Sequence, residues 1–435
     1  MGLLCIAWGA LPEAEGYLLQ SIKLAPGFSF PHSNLGKLRE KQGNLAEAEA
    51  YFRKAIDLQP DLAIAHTNLC GILNAQKRHE EAETAARRAI TIDPESAEAW
   101  CNLGLVYSDQ GGFTQALACY EKSLVLNPSS PETHLSNASL LLKTGDYNKG
   151  FVGYEYRWEG ASELSRRPDT LLPQWKGEPV APSDAILLFP EQGFGDHIQF
   201  MRYLPMLKER FQRVVFICPK SLASLAKENF KNIEIIDSTQ CIDQKEFQWH
   251  CPFHSLALAF NTTLDSIPSA PYLAWPQPAP LRKRPAVGFV WKGRPSYADD
   301  RWRSVPLDIY GPLFQNTAVE WVCLQKDVTP EETAQLPLGS ENAISKVQDF
   351  SDTAQIITRL DLVITIDSAI AHLAGAMGKP VWLLNRASGE WRWGWKKEAS
   401  PWYPSMRIFN QTHMGEWAPV IQVVNAALSV FVHTH

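Results

Sequence analysis

Residues 362–380 read LVITIDSAIAHLAGAMGKP and hold the densest concentration of chemistry-bearing positions in the chain. A buried-type strand there runs into the polar turn Asp367-Ser368 and then into a segment of small residues suited to a helix. Such a junction leaves free N–H groups and the positive helix end at the carboxyl edge of a sheet, where an anionic group docks. Ser368 caps that helix and offers a hydroxyl to phosphate, while Ala369 follows it with a helix-terminal N–H. His372 lies one turn on, on the same face. Alone, His372 reads as a packed core histidine; beside a phosphate seat it reads as a ligand contact.

A second loop, Glu191-Gln192-Gly193-Phe194-Gly195-Asp196-His197, follows another apolar run. Its two glycines permit a tight turn with close backbone approach, and Asp196 opens the next helix, whose positive end favours an ionised carboxylate. That carboxylate suits a base or a hydroxyl acceptor; the plainer alternative is a helix cap. Trp291-Lys292-Gly293-Arg294 and Asp299-Asp300-Arg301-Trp302-Arg303-Ser304 supply cations near a third strand end, where Lys292 and Arg303 could neutralise a diphosphate. In isolation that second loop reads as solvated surface. The adjacent acids do not make a DxD pattern, and His250-Cys251-Pro252-Phe253-His254 lacks a second ligand pair at finger-like spacing, so no metal is expected. Glu390-Trp391-Arg392-Trp393-Gly394-Trp395 and Ser400-Pro401-Trp402-Tyr403-Pro404 gather aromatics that either stack on sugars or bases or wedge domains together.

The elements that must position these groups alternate from residue 185 onward. AILLFP, a helix over 196–211, VVFICP, a helix near 221–230 and IEIID form one series. AVGFVW, VEWVCLQ, LVITI with its helix, PVWLL and a helix over 418–430 form another. Strands with few polar interruptions, alternating with helices, imply parallel sheets covered on both faces. The expectation is two Rossmann-like halves, residues 185–280 and 281–435, with the last helix packing back on the first half. A polar and proline-rich linker over 159–184 precedes them.

Upstream, Pro26, Pro60, Pro94 and Pro128 recur every 34 residues, the tetratricopeptide period. Leu35-Gly36, Leu69-Cys70 and Leu103-Gly104 repeat in step, as do Ala14, Ala48, Ala82 and Ala116. Phe52 and Tyr120 follow as large residues of helix B, with Ala86 an underfilled version. These positions resemble the tetratricopeptide repeat family over residues 1–158 and predict an α-solenoid. Met1 falls at the seventh position of the first repeat, which shortens its helix A. The aromatic FVGYEYRWEG at the other end is expected to dock on the next domain. Asn34, Asn68 and Asn102 share one repeat position. A ladder of carboxamides could grip an extended peptide backbone, or be merely the residue common at that position.

Composition bounds the rest. A 435-residue chain that is 45% hydrophobic buries a large core in two or three domains. Net charge −6 without long single-sign runs argues against nucleic-acid binding. No stretch is long and apolar enough to span a bilayer. The start carries no secretion pattern, and Ile6 breaks the myristoylation motif that Gly2 would open. Eight scattered cysteines without a CxxC pair suggest a reduced, cytoplasmic setting.

Taken together, GFGDHIQFMRYLP and DSAIAHLAGAMGKPVWLLN, with the WxG, DRxRS and SPWYP elements, are similar to heptosyltransferase-like glycosyltransferases of the GT-B fold fused to tetratricopeptide repeats. The likeness covers residues 173–411. It implies an α + α/β chain and a metal-independent inverting glycosyltransferase. A nucleotide sugar would serve as substrate, bound mainly by the second half, with no resident cofactor. Asp196 then matches the base on the acceptor hydroxyl. Gly195, Lys292, Arg303, Asp367, Ser368, Ala369 and His372 match donor-side positions. Heptosyltransferases have Gly where this chain has Ala369, whose methyl narrows the approach. The acceptor implied is a protein held along the repeats by Asn34, Asn68 and Asn102. An envelope or exported glycan is a second acceptor class, and a non-catalytic adaptor is a third reading.

Overall fold

The structure, a computed structural model, describes residues 5, 9–161, 166–240, 242–276, 283–294 and 300–434. Met1, Gly2, Ile6, Cys241 and Asp299, which entered the sequence reading, lie outside the described residues. The chain divides into two compact units, Met1–Leu140 and Leu141–His435. Among the described residues no helix is long and apolar enough to cross a membrane.

The first unit is a stack of antiparallel helix pairs. Helices Ser29–Lys41 and Leu45–Leu58 form one pair, Ala63–Ala75 and His79–Ile92 the next, and Ala97–Gln110 and Phe113–Leu126 a third. Side-chain volume sets the approach within each pair. A Cβ on Gly36 would sit 2.5 Å from Phe52 Cε1, and one on Gly104 2.6 Å from Tyr120 Cε1, so each ring lies directly on a glycine. The middle pair reverses this. Cys70 stands at the glycine position and the small Ala86 faces it, both fully buried in one cluster. Ala86 is thus not underfilled, because the missing volume has moved to the partner helix. A second device recurs on the same period. His66 Nε2 lies 3.0 Å from the Pro60 carbonyl, Trp100 Nε1 donates to Pro94 O at 3.0 Å, and His134 Nε2 lies 2.8 Å from Pro128 O. Each ring N–H satisfies a carbonyl that the proline-terminated turn leaves open.

The second unit is built on two all-parallel sheets. The first contains β1 (Ala185–Phe189), β2 (Arg213–Cys218), β3 (Glu234–Asp237) and β4 (Trp249–Pro252) in the order β3-β2-β1-β4. The second contains β5 (Ala286–Phe289), β6 (Glu320–Cys323), β7 (Glu341–Asn342), β8 (Leu362–Ile366), β9 (Val381–Asn385) and β10 (Met406–Asn410) in the order β10-β9-β8-β5-β6-β7. Every ladder between these strands is parallel. These are the two Rossmann-like sheets of the GT-B class, and each winds in both directions from its first strand. That creates a switch point between β1 and β4 and another between β5 and β8, where loops diverge at the strand carboxyl ends.

Three features differ from expectation. The helix over 196–211 is three shorter pieces, Phe194–Phe200, Met201–Tyr203 and Leu204–Lys208, with Pro205 at the second residue of the last. Residues in the 159–184 stretch do more than span. Trp175 is fully buried, its N–H donates to His250 O at 2.8 Å, and the segment bridges β4. The closing helix Ala418–Thr434 does not fold back on the first half. Its buried Val420, Ile421, Val424 and Leu428 face the segment 307–314 and β10, and Phe431 meets Trp382 edge-on at 5.9 Å. The apolar stripe is satisfied within its own half.

Helices Tyr147–Tyr154 and Arg157–Gly160, which the repeat period counts with the solenoid, pack inside this second unit. Tyr147 stacks on Trp402 at 5.8 Å and its hydroxyl accepts that indole N–H at 3.1 Å; Phe151 meets Trp391 edge-on.

Candidate active site

The two motif loops sit at the two switch points, one per sheet. In the first sheet, β1 leads into Glu191–Asp196 and β4 leads into His254. In the second, β5 leads into Lys292 and β8 into Asp367-Ser368. Helix Phe194–Phe200 packs directly on helix Ala369–Ala376. A Cβ on Gly195 would lie 2.8 Å from His372 Cδ2 and 3.6 Å from Ala369 Cα. Only a glycine brings the first loop this close to the amino end of the second helix.

That helix end is open in the way the sequence implied. Ser368 is extended (φ −153°, ψ 166°) and its carbonyl accepts the first helical bonds, from Ala371 and His372. The amides of Ala369 and Ile370 precede those bonds and point out of the helix. Asp367, Ser368, Ala369 and Ile370 are half-buried rather than sealed. Ser368 Oγ does not cap the helix; it pairs with Thr365 Oγ1 at 3.0 Å. His372 is buried, with Nδ1 2.9 Å from the Tyr403 hydroxyl and its ring 5.0 Å from Trp393. Burial pulls its pKa down to about 4, so near neutral pH the imidazole is uncharged.

Asp196 occupies the third position of its short helix. Its Oδ2 accepts the Gly193 N–H at 2.9 Å, closing the helix start, while Oδ1 pairs with the Arg392 guanidinium. Cap and charged group are therefore one residue. Burial alone would raise this carboxyl. The Arg392 charge, with His254 behind it, overrides that and holds it far below the usual carboxylate range. Its side chain keeps 19% exposure, enough for a ligand atom to reach. Arg392 is itself tightly held, donating to Gln199 Oε1 at 2.6 Å and Glu390 Oε1 at 2.6 Å.

Behind Asp196 the charges continue. His254 Nε2 lies 3.3 Å from Asp196 Oδ1, and His254 Nδ1 lies 3.3 Å from Glu191 Oε1. Glu191 also accepts from Arg157 Nε at 2.8 Å, from Arg157 Nη2 at 3.0 Å and from the His254 amide at 2.7 Å. Despite burial, His254 and Arg157 hold its pKa down at about 2.

The remaining expected residues are placed as follows. Lys292 follows β5 on the same edge as Ser368 and pairs with Glu332 at 2.6 Å. Arg303 donates to Asp300 at 2.8 Å, and the pair folds over Gly293. Both cations thus carry an acid partner. In the solenoid, Asn102 Nδ2 donates to the Thr67 carbonyl at 3.1 Å, Asn68 is buried and Asn34 half-buried. At least Asn102 therefore bonds within the array itself. Trp391, Trp393, Trp402 and Tyr403 are buried core, not open stacking platforms. Sequence reasoning missed Arg392, Glu390, His254, Glu191 and Arg157. A charged residue set between two tryptophans just beyond a strand was the available signal for Arg392.

Residues 33–97 and 97–130 match tetratricopeptide repeat families, and residues 317–420 match glycosyltransferase family 9 (heptosyltransferase). The chain carries tetratricopeptide repeats and a glycosyltransferase family 9 domain. That match lies in the β5–β10 half and includes Asp367, Ser368, His372 and Arg392. Protein FlbA of Caulobacter vibrioides is 28% identical over 330 residues, 68% of this chain and 54% of FlbA. The chain thus spans about half the length of that curated relative. Among solved structures, Pseudomonas aeruginosa pilF shares 30% identity over 37% of this chain and 72% of its own (TM-score 0.33). MamA shares 22% over 38% and 95% (TM-score 0.31). A thermophilic tetratricopeptide protein of Thermus thermophilus shares 21% over 37% and 89% (TM-score 0.34).

Proposed function

We propose that the second unit is a metal-independent inverting glycosyltransferase that moves a sugar from a nucleotide sugar to an acceptor recruited by the repeats, most simply a protein side chain. The observation that carries this reading is the abutment of the two loops. Gly195, the residue before Asp196, lies against His372 and against Ala369 at the start of the helix that follows Ser368. One loop offers an ionised acceptor of protons and the other a seat for a diphosphate.

The reaction would run as a single displacement. The acceptor oxygen attacks the anomeric carbon while the bond from that carbon to the diphosphate breaks. As the new bond forms, the attacking hydroxyl becomes oxonium-like and strongly acidic, so even a carboxylate of depressed pKa takes its proton. Asp196 is the residue for this, and its partner Arg392 keeps it charged until then. The departing diphosphate gathers negative charge, which the amides of Ala369 and Ile370, the helix end, and Lys292 and Arg303 would stabilise. Asp367 and neutral His372 would line the donor side.

Thermal unfolding in the presence of UDP-, GDP- and ADP-linked sugars tests the donor half. A matching donor at about a hundred times its Kd stabilises by roughly 2.7 kcal/mol, a rise of several degrees. Asp196→Asn should keep that rise and lose turnover about 100- to 10,000-fold. No shift with any donor overturns the transferase reading. A donor-induced shift with undiminished turnover in the Asn variant removes Asp196 from the chemistry.

A further inference from the structure

His254 lies behind Asp196 with its side chain wholly buried, out of a ligand's reach. Its setting is unusual for a core histidine. Each ring nitrogen lies 3.3 Å from a carboxylate oxygen, Nδ1 from Glu191 and Nε2 from Asp196. Both approaches fall off the N–H axis, so neither nitrogen has a well-formed hydrogen bond. Attraction between charges, rather than bond geometry, therefore holds the ring. The Phe200 ring packs 4.7 Å away and the Tyr154 ring 6.1 Å away, which excludes water from its faces.

We propose that His254 is a positioning residue, an imidazolium clamped between Glu191 and Asp196, through which Arg157 of the helix preceding the sheets fixes the Asp196 carboxylate. The proposal rests on the transferase reading for its functional meaning, though not for its geometry. The charges facing the ring from every side are few. Glu191 comes from the loop after β1 and Asp196 from helix Phe194–Phe200. Arg157 stands behind Glu191, and Glu155 is linked through Ser255 Oγ, which donates to it at 2.7 Å. His197 lies on the same short helix as Asp196, and Arg392 on the far side of Asp196. His197 is held uncharged by burial. The two carboxylates in contact outnumber the ring, and burial, though it opposes a charge, is overridden so that the His254 pKa is raised. Neutralising the ring would leave the Glu191 and Asp196 carboxylates sharing a wall with only their outer arginines, and Asp196 Oδ1 held by Arg392 alone.

Ring nitrogen NMR on the full-length chain tests this without any donor. His254 is assigned by difference against His254→Gln among the 11 histidines. The expected signature is a doubly protonated ring persisting above the pH at which an ordinary histidine loses its proton, and its loss at that pH in Glu191→Gln. A neutral His254 at that pH in the unaltered chain overturns the clamp, whatever the enzyme does. The functional arm is hydrolysis of UDP-N-acetylglucosamine, GDP-mannose and ADP-glucose across a pH series. His254→Gln should lower kcat about 10- to 100-fold with donor KM nearly unchanged, and flatten the alkaline limb of the profile. An unchanged profile also overturns the proposal. A charged His254 combined with no stabilisation by any of the three nucleotide sugars would instead sink the transferase reading and leave the clamp standing.

Discussion

Replacing Gly195 by alanine is the sharpest probe of the loop abutment. The new methyl would sit 2.8 Å from His372 Cδ2, roughly 0.6 Å inside the 3.4 Å at which ordinary contact begins. A flexible neighbour would absorb this; His372 is not one. Its ring is buried, tied to the Tyr403 hydroxyl at 2.9 Å and backed by Trp393. On the other side the Ala369 backbone is 3.6 Å away, so sliding past the ring brings the methyl against the helix start. The two helices must separate, at a cost of about 1–3 kcal/mol for overpacking. For a unit of this size that lowers Tm by roughly 2–10 °C. On the proposed reaction the functional effect should be larger than the stability effect, since a shift approaching 1 Å between Asp196 and the helix start at Ala369 would lower turnover about 100-fold. Gly311→Ala is the control. Nothing lies within 4 Å of its added methyl and its φ of −43° suits a helix, so it should be neutral or slightly stabilising. Differential scanning calorimetry with a nucleotide-sugar hydrolysis assay reads both variants. A Gly195→Ala chain with unaltered Tm and turnover would show that the loops do not depend on this contact.

Three further outcomes are expected. His372, whose folded pKa is lowered to about 4 from 6.5, takes up its proton in the unfolded chain first, so its contribution to stability is lost as pH falls from 6.5 toward 4. Urea midpoints should drop over that window by an amount equivalent to about 2–3 kcal/mol, and His372→Gln should remove the slope. In the solenoid, Ala86→Phe alone should overpack against Cys70 and cost about 1–3 kcal/mol, while Cys70→Gly with Ala86→Phe restores the pairing of the flanking repeats and recovers most of it, read by denaturation of the same chains. Arg392→Met should strand two half-buried carboxylates, Asp196 and Glu390, and lower Tm by several degrees, with partial recovery when Asp196→Asn is added; no recovery would show that Arg392 and Asp196 do not act as a pair.

The strands that sequence patterning found are those whose residues are apolar on both faces. Leu362–Ile366 and Ala185–Phe189 read as buried runs because parallel strands under two helical layers have no wet side. β4 escaped because Trp249-His250-Cys251-Pro252 looks like a ligand cluster, β7 because two residues carry no period, and β10 because Arg407 faces out from an edge. Missing β4 had a consequence for the site. Without it the first sheet has no switch point, and nothing draws attention to the turn at His254. The motif loops were legible since each follows its strand within a few residues. Their partners were not, because Arg392 reaches Asp196 across 196 positions and Arg157 reaches Glu191 across 34, distances over which no local rule operates. At the asparagine ladder both alternatives were legible, and at Asn102 the periodic polar position serves the array's own bonding through Thr67.

The order of charges behind Asp196 bears on how such a site could turn over. Arg157, Glu191, His254, Asp196, Arg392 and Glu390 alternate in sign, and with a charged His254 they sum to zero, the least costly way to bury six ionisable groups. In the proposed reaction Asp196 would take a proton from an acceptor hydroxyl, and the row would become positive by one. At that moment the leaving diphosphate gains negative charge a short distance away, at the amides after Ser368. The imbalance created on one loop is therefore favourable to the charge created on the other, and both are present only in the transition state. An arrangement of this kind lowers a barrier without tightening the ground state. It follows that neutralising Glu191, one step removed from any substrate, should act in the same direction as removing Asp196 but more weakly. With His254 discharged alongside it the row stays neutral, but Asp196 loses the charged neighbour that fixes it, so kcat falls while donor KM is nearly unchanged.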